Sequence, residues 1–235
     1  MATARLSYSE GGVDFEGHLQ LPGGDDPRPL VIVAHAWFGQ TDFEREQAHR
    51  LTGLGYAGFA LDVYGKGILG ETPEECRALM EPLVQDRPAL MRRVRAGLDA
   101  VKAHPRVDQS RVAAIGYCFG GLTVLDMARE GLELQGVCSI HGLLSPRPTM
   151  NQEIKAKVLA LHGYEDRMAP PEAMLTFAEE MTNAGADWQI HAFGHTQHAF
   201  TLPSANSPEL GVQYSKVASK RAYQTMDAFL AEVLT

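Results

Sequence analysis

Three side chains in this sequence have the types and the order that nucleophilic catalysis needs: the thiol of Cys118, the carboxylate of Asp166 and the imidazole of His198. A thiol attacks as its thiolate, so it needs a base within reach. The imidazole needs a carboxylate to hold its tautomer and stabilise its cation. Cys118 stands in Gly116-Tyr117-Cys118-Phe119-Gly120-Gly121, after the β-branched and apolar run 112–115 and before the helix-compatible segment 122–129. A strand that turns sharply into a helix with a nucleophile at the apex is a nucleophile elbow. Two residues either side of the apex the strand and helix backbones pass so closely that a Cβ would clash, which explains the glycines. A small buried cysteine closing a core strand would account for the same residues, and the partners downstream decide between the two.

Each partner follows a separate predicted strand. Glu165 competes with Asp166 for the acid role, and Asp62 is a more distant third. Asp166 is preferred because the acid of a strand-Gly-x-x-Asp loop lies farther out, toward the histidine. His198 is preferred to His195 because Ala199-Phe200 can continue into a turn that leaves His198 over the elbow. His191, His195 and His198 raise the thought of a metal site. Gly194 and the strand pattern before it break helical i, i+4 spacing, and no H-E-x-x-H occurs, so neither metal nor cofactor is expected. Two backbone N–H groups should form an oxyanion hole. One is Phe119, at a helix start whose dipole also favours a thiolate; the other is Trp37, in the loop after the strand at 30–34. Trp37 and Phe38 would serve equally as core aromatics, and backbone donation is compatible with that.

The elements that must position these groups alternate. Residues 13–21 alternate apolar and polar, as in a half-buried antiparallel strand near a sheet edge. Residues 22–27 are dense turn chemistry. Runs at 30–34, 56–61, 112–115, 136–140, 157–161 and 187–193 read as strands, mostly apolar without alternation. Helices are expected at 42–54 with Thr41 or Asp42 as cap and Gly55 as stop, at 72–84 with Pro at its first position, at 88–103, from Pro170-Pro171 to 183, and at 212–233. The segments 145–152 and 202–210 read as loops. This is an α/β pattern: a mostly parallel central sheet with helices on both faces, in one domain over 1–235 without a large separate cap domain. In such sheets ligand chemistry sits beyond the carboxyl ends of the strands, where all the candidates fall.

Composition excludes several classes. The net charge of −8 argues against nucleic acid and anionic membrane as partners, which select for basic patches. Three cysteines, Cys76, Cys118 and Cys138, are too few for a disulfide scaffold and suit a reducing compartment. The first residues lack an apolar signal region and no run approaches the roughly 20 residues of a membrane span. A cytoplasmic protein is expected, as a monomer or homodimer. Its glycine motif is not the G-x-G-x-x-G of a dinucleotide site.

With these residues in hand, the chain resembles the dienelactone hydrolase family of the α/β-hydrolase fold. The resemblance rests on His35-Ala36-Trp37-Phe38-Gly39, Leu61-Asp62-Val63-Tyr64-Gly65, the Gly116–Gly121 element, Leu161-His162-Gly163-Tyr164-Glu165-Asp166 and His198-Ala199-Phe200. It implies hydrolysis of a small ester or lactone through a Cys-Asp-His triad and an acyl-thioester, without metal. Two departures concern the substrate. The family glutamate that contacts the resting thiol is matched by Ala36, and the arginine that holds the substrate carboxylate by Leu202. A pocket including Ala36, Phe38, Tyr64, Phe200 and Leu202 would suit a less charged acyl group. A non-catalytic or redox-responsive binding protein on the same fold is the alternative, motivated by the missing glutamate at Ala36.

Overall fold

The computed structural model describes residues 1–147 and 153–235. An eight-stranded sheet runs in the order β1-β2-β4-β3-β5-β6-β7-β8. The chain divides into two compact units, Met1–Ala114 and Ile115–Thr235.

The first unit opens with β1 (Ala2–Glu10) and β2 (Val13–Leu21), an antiparallel hairpin whose two-residue turn is Gly11-Gly12. Both glycines have positive φ, 58° and 80°, the left-handed conformation a tight hairpin turn requires. Residues 2–10 carry no element in the sequence reading, so β1 is a correction. Its alternation is legible in retrospect, with half-buried Leu6 and buried Tyr8 between polar neighbours. β2 pairs antiparallel with β4 (Ala57–Leu61), and β4 pairs parallel with β3 (Arg28–Ala34). Helix α1 (Asp42–Thr52) starts at a capping box in which Thr41 accepts from the helix and Glu44 reaches back to Thr41. Then come α2 (Pro73–Gln85), α3 (Arg87–Lys102) and β5 (Val107–Tyr117). A Cβ on Gly58 would meet Ala48 of α1 at 2.2 Å, and Leu61 touches Gly97 of α3. Positions 58 and 61 are an odd number apart, so α1 and α3 cover opposite faces of β4.

The second unit continues with α4 (Phe119–Arg129), β6 (Gly136–Ile140), β7 (Lys157–Gly163), α5 (Pro171–Asn183) and β8 (Trp188–Phe193). β6, β7 and β8 pair in parallel. Gly136 lies against Phe229 and Val233, whereas Ser139, three residues on, lies against Gly121 of α4. The same parity puts the C-terminal helix and α4 on opposite faces of β6.

The chain end corrects a boundary. A helix was expected from 212, but α6 spans Lys216–Val233 with Ser215 as its cap. Residues 202–210, read as loop, include β9 (Asn206–Ser207) and a 3-10 turn (Pro208–Leu210). β10 (Val212–Gln213) pairs back on β9. Gly211, at φ 79°, turns the chain between them. Of the loop expected at 145–152, residues 148–152 lie outside the described residues.

Helix α4 carries the elbow at its start and is buried along its whole length. Its last residue, Arg129, donates to Asp126 at 3.0 Å and reaches both carboxylate oxygens of Glu180 on α5, at 3.0 and 2.7 Å. The Arg129 and Asp126 side chains have no exposed surface. Removing one partner strands a buried charge, so Arg129→Ala should cost about 3–5 kcal/mol of unfolding free energy. Chemical denaturation measures this; a loss under about 1 kcal/mol would mean the network behaves as an exposed ion pair.

Candidate active site

The strand-to-helix turn fixes the thiol. Cys118 has φ 55° and ψ −114°, a conformation that costs a non-glycine residue about 1–3 kcal/mol and persists only where packing enforces it. The packing is visible. A Cβ on Gly116 would lie 2.0 Å from the Gly120 carbonyl oxygen, and one on Gly121 would lie 2.6 Å from Cα of Gly142. The Cys118 N–H donates to the Ile140 carbonyl at 3.1 Å, tying the apex to β6. Phe119 is the first residue of α4, where backbone N–H groups point out of the helix start.

Asp166 sits three residues beyond Gly163 and is buried. Its Oδ1 accepts from the backbone of Met168 at 2.8 Å and Ala169 at 3.4 Å, leaving Oδ2 to His198 Nδ1 at 2.7 Å. Glu165 turns outward instead and pairs at 3.2 Å with His195, whose side chain is almost wholly exposed. Asp62 lies in the first unit, where it accepts from the backbone of Glu16, Tyr64 and Gly65 and shapes the turn after β4.

His198 is held by its backbone as well as its ring. Its N–H donates to Gly211 and its carbonyl accepts from Gln213, at 3.0 and 3.1 Å, so the β9–β10 segment braces it. The ring is hydrogen bonded through Nδ1 to Asp166 at 2.7 Å. Burial pushes the His198 imidazole down. The charge on Cys118 and the hydrogen bonds to Asp166 and Cys118 outweigh it, and the pKa is raised to about 10.

Two further buried histidines adjoin this set. Neither was singled out in the sequence beyond ending a strand. His162 Nε2 bonds to the Ala169 carbonyl at 2.8 Å and lies 3.9 Å from Asp166 Oδ2. His141 bonds through Nε2 to Thr201 Oγ1 at 2.8 Å, and its ring packs edge-on against His198 with centroids 5.2 Å apart. Burial holds both below the usual imidazole value. Their only sequence signal is the repeat of a histidine and a glycine at consecutive strand ends, 141–142 and 162–163.

The remaining expected residues divide between the units. Trp37, in the loop after β3, accepts the Tyr64 hydroxyl at its carbonyl, and Phe38 is 36% exposed. The Ala36 N–H donates to buried Glu44 at 3.3 Å. Tyr64 is buried with its ring against His35. In the second unit Leu202 is half-buried. Phe200, expected to line the pocket, has no exposed surface; its ring fills the space between His141 and Phe193 and supports the site from behind. His191 does not join them; its ring lies 3.4 Å from the Gln189 side-chain oxygen on the same strand. Among the described residues no group of three or more His, Cys, Asp or Glu could hold a metal ion.

Comparison with known proteins gives the family. The model of the dienelactone hydrolase family matches residues 15–234. The chain belongs to the dienelactone hydrolase family. A carboxymethylenebutenolidase of Pseudomonas sp. is 29% identical over 243 residues, covering 96% of this chain and 95% of that one. The solved structure of m3DLH superposes with a TM-score of 0.94 at 36% identity, covering 100% of this chain and 99% of the other. The same TM-score and coverage, at 33% identity, hold for a dienelactone hydrolase-like promiscuous phosphotriesterase from metagenomic libraries. Membership of this family makes the protein a hydrolase on an α/β-hydrolase fold.

The acid and histidine loops are zipped together. Tyr164 N–H donates to the Phe193 carbonyl and Glu165 N–H to the Thr196 carbonyl, both at 2.9 Å. A Cβ on Gly163 would lie 2.5 Å from the Thr196 oxygen and 2.7 Å from that of Gln197. Gly163→Ala should therefore part the loops and weaken the Asp166–His198 bond. Proton NMR reads this directly: the downfield imidazole N–H resonance should vanish or move upfield. An unchanged resonance in the folded variant refutes the tight fit.

Proposed function

We propose that this hydrolase cleaves a small, weakly charged carboxylic ester or lactone by covalent catalysis at Cys118. The observation that carries this reading is His198, bonded to Asp166 at 2.7 Å and raised in pKa by Cys118, a cysteine at a strained elbow. The Cys118 thiolate attacks the acyl carbon, and the carbonyl π electrons move to oxygen. The Phe119 amide stabilises that oxyanion at the start of α4; a second donor from Trp37 is expected from the sequence. Collapse of the intermediate expels the alkoxide, which takes the proton of the His198 imidazolium. Neutral His198 then removes a proton from water, the hydroxide attacks the thioester, and the thiolate leaves beside a regenerated imidazolium. Asp166 keeps Nδ1 protonated throughout, so Nε2 exchanges the proton. In a lactone the alkoxide stays on the acyl chain, and a single hydroxy acid is released.

Ala36 and Leu202 support the substrate class. Neither supplies a charge, so a substrate carboxylate would have to be matched by groups other than these two. Turnover of short-chain aryl esters by wild type and Cys118→Ala tests the mechanism; equal rates would sink it. Rapid alkylation of Cys118 without turnover of any ester would favour the redox-responsive reading instead.

A second substrate class has a specific motive in the 33% identical phosphotriesterase of matching structure. The same thiolate attacking phosphorus would expel an aryloxide and leave a thiophosphoryl enzyme for water to hydrolyse. Loss of ester and phosphotriester activity together in Cys118→Ala would place both at one sulfur.

The His198 titration sets the pH dependence. Its cation persists below about 10 and is lost above it. Alkoxide departure needs that proton, whereas p-nitrophenolate leaves without one. Acylation by an alkyl ester should therefore fall as pH rises through about 10, with little fall for the p-nitrophenyl ester. Parallel high-pH limbs for both substrates would overturn the assignment of His198 as the acid.

A further inference from the structure

Residues 140–142 leave β6 beside Cys118, His198 and the start of α4. The Ile140 carbonyl accepts from Cys118 N–H at 3.1 Å, and Gly142 packs against Gly121 beneath the elbow. His141 between them is at φ 38°, a left-handed conformation that any non-glycine residue resists. Its backbone N–H donates to Leu161 of β7 at 2.8 Å, holding it there.

That conformation places the His141 ring among three others. It stands edge-on to His198 at 5.2 Å and to Phe200 at 5.4 Å, with Tyr117 tilted at 5.9 Å. Its Nε2 is committed to the buried Thr201 hydroxyl at 2.8 Å, three residues beyond His198. Among the described residues the Thr201 hydroxyl meets the site through this bond and through the turn it shares with His198. The groups facing His198 are then Cys118 and Asp166, which favour its cation, and His141 and His162, which would repel it if they were charged. Burial, reinforced by the charge on His198, keeps both neutral.

We propose that His141 is the positioning residue of His198, holding the imidazole toward Cys118 by ring packing and by its hydrogen bond to Thr201. The proposal rests on Cys118, Asp166 and His198 being the reacting set. Without the brace the His198 ring can swing away from the sulfur, and its contacts with Cys118 and Asp166 lengthen. Both changes lower the rate of the chemical steps, and the second lowers the pH at which His198 titrates.

The test compares the full-length wild type with Thr201→Val, Thr201→Ser, His141→Phe and Cys118→Ala, using a short-chain p-nitrophenyl ester. Histidine NMR follows the His198 titration in each. Thr201→Val should lower kcat about tenfold with KM within about twofold, because substrate contacts are untouched while reacting atoms are misplaced. His198 should titrate at lower pH. Thr201→Ser, which keeps the hydroxyl, should restore both. His141→Phe, which keeps a ring, should behave as Thr201→Val. Wild-type kcat and His198 titration in folded Thr201→Val overturn the proposal while leaving the function intact. Wild-type turnover in Cys118→Ala overturns the function instead, and the His198 titration, which needs no substrate, still judges the brace. Should His141→Phe fail to fold, the valine and serine pair at Thr201 decides alone.

Discussion

A cysteine held at φ 55° is the constraint on which this site depends. The conformation is unfavourable by itself, and it survives because every neighbouring alternative is closed. α4 is buried along its length, so the helix cannot slide away from the strand. Gly116 and Gly121 let backbones approach to distances no Cβ would allow. The bidentate pair of Arg129 with Glu180 locks the far end of the helix to α5. The strain thus presents the sulfur at the head of a helix, where amide dipoles favour negative charge. The energy that enforces it lies in aliphatic packing and a buried arginine more than ten residues away.

The second requirement is that one proton sit on one histidine of three. His141, His162 and His198 lie close enough to influence each other, and a single buried carboxylate serves them. Distance decides the assignment. Asp166 Oδ2 is 2.7 Å from His198 and 3.9 Å from His162, whose Nε2 is already spent on the Ala169 carbonyl. Of the three, only His198 is also raised by Cys118. A buried cation beside a carboxylate is tolerated, and burial together with the charge on His198 holds both neighbours below the usual imidazole value. Aromatic rings without charge can then crowd the imidazole and fix its plane.

Much of this was legible in the sequence because it follows from local chemistry. Gly-x-Cys-x-Gly after an apolar run describes a strand-to-helix reversal with little tertiary help, and unbroken β-branched strands between helices describe a parallel sheet. The ordering of Cys118, Asp166 and His198 along the chain needed only the rule that parallel strands deliver their ends to one edge. What escaped depends on contacts between distant segments. β1 is short of apolar residues because it lies at the sheet edge, and its pairing rests on the Gly11-Gly12 turn. β9 and β10 have two residues each, too few for any periodicity, and exist because His198 and its loop provide partners for their backbones. His141 and His162 escaped for a related reason: a histidine at a strand end has no sequence mark for what its ring will meet.

The brace on His198 is largely backbone, and this has a consequence for how the site tolerates change. Gly211 and Gln213 hold the histidine through its own N–H and carbonyl, so the identities of residues 206–213 matter less than the hairpin they form. The exception is Gly211, where any Cβ would meet the Arg167 side chain, itself anchored on the Glu209 carbonyl. Arg167 follows Asp166 directly. One contact therefore joins the acid loop to the histidine brace outside the reacting groups, and movement of either loop displaces both partners of the 2.7 Å bond together. Leu202, where the family resemblance implies an arginine, is part of the same turn, its N–H bonded to the Ala199 carbonyl. A side chain at that position can therefore change without altering the backbone bonds that hold His198, because those run to Gly211 and Gln213.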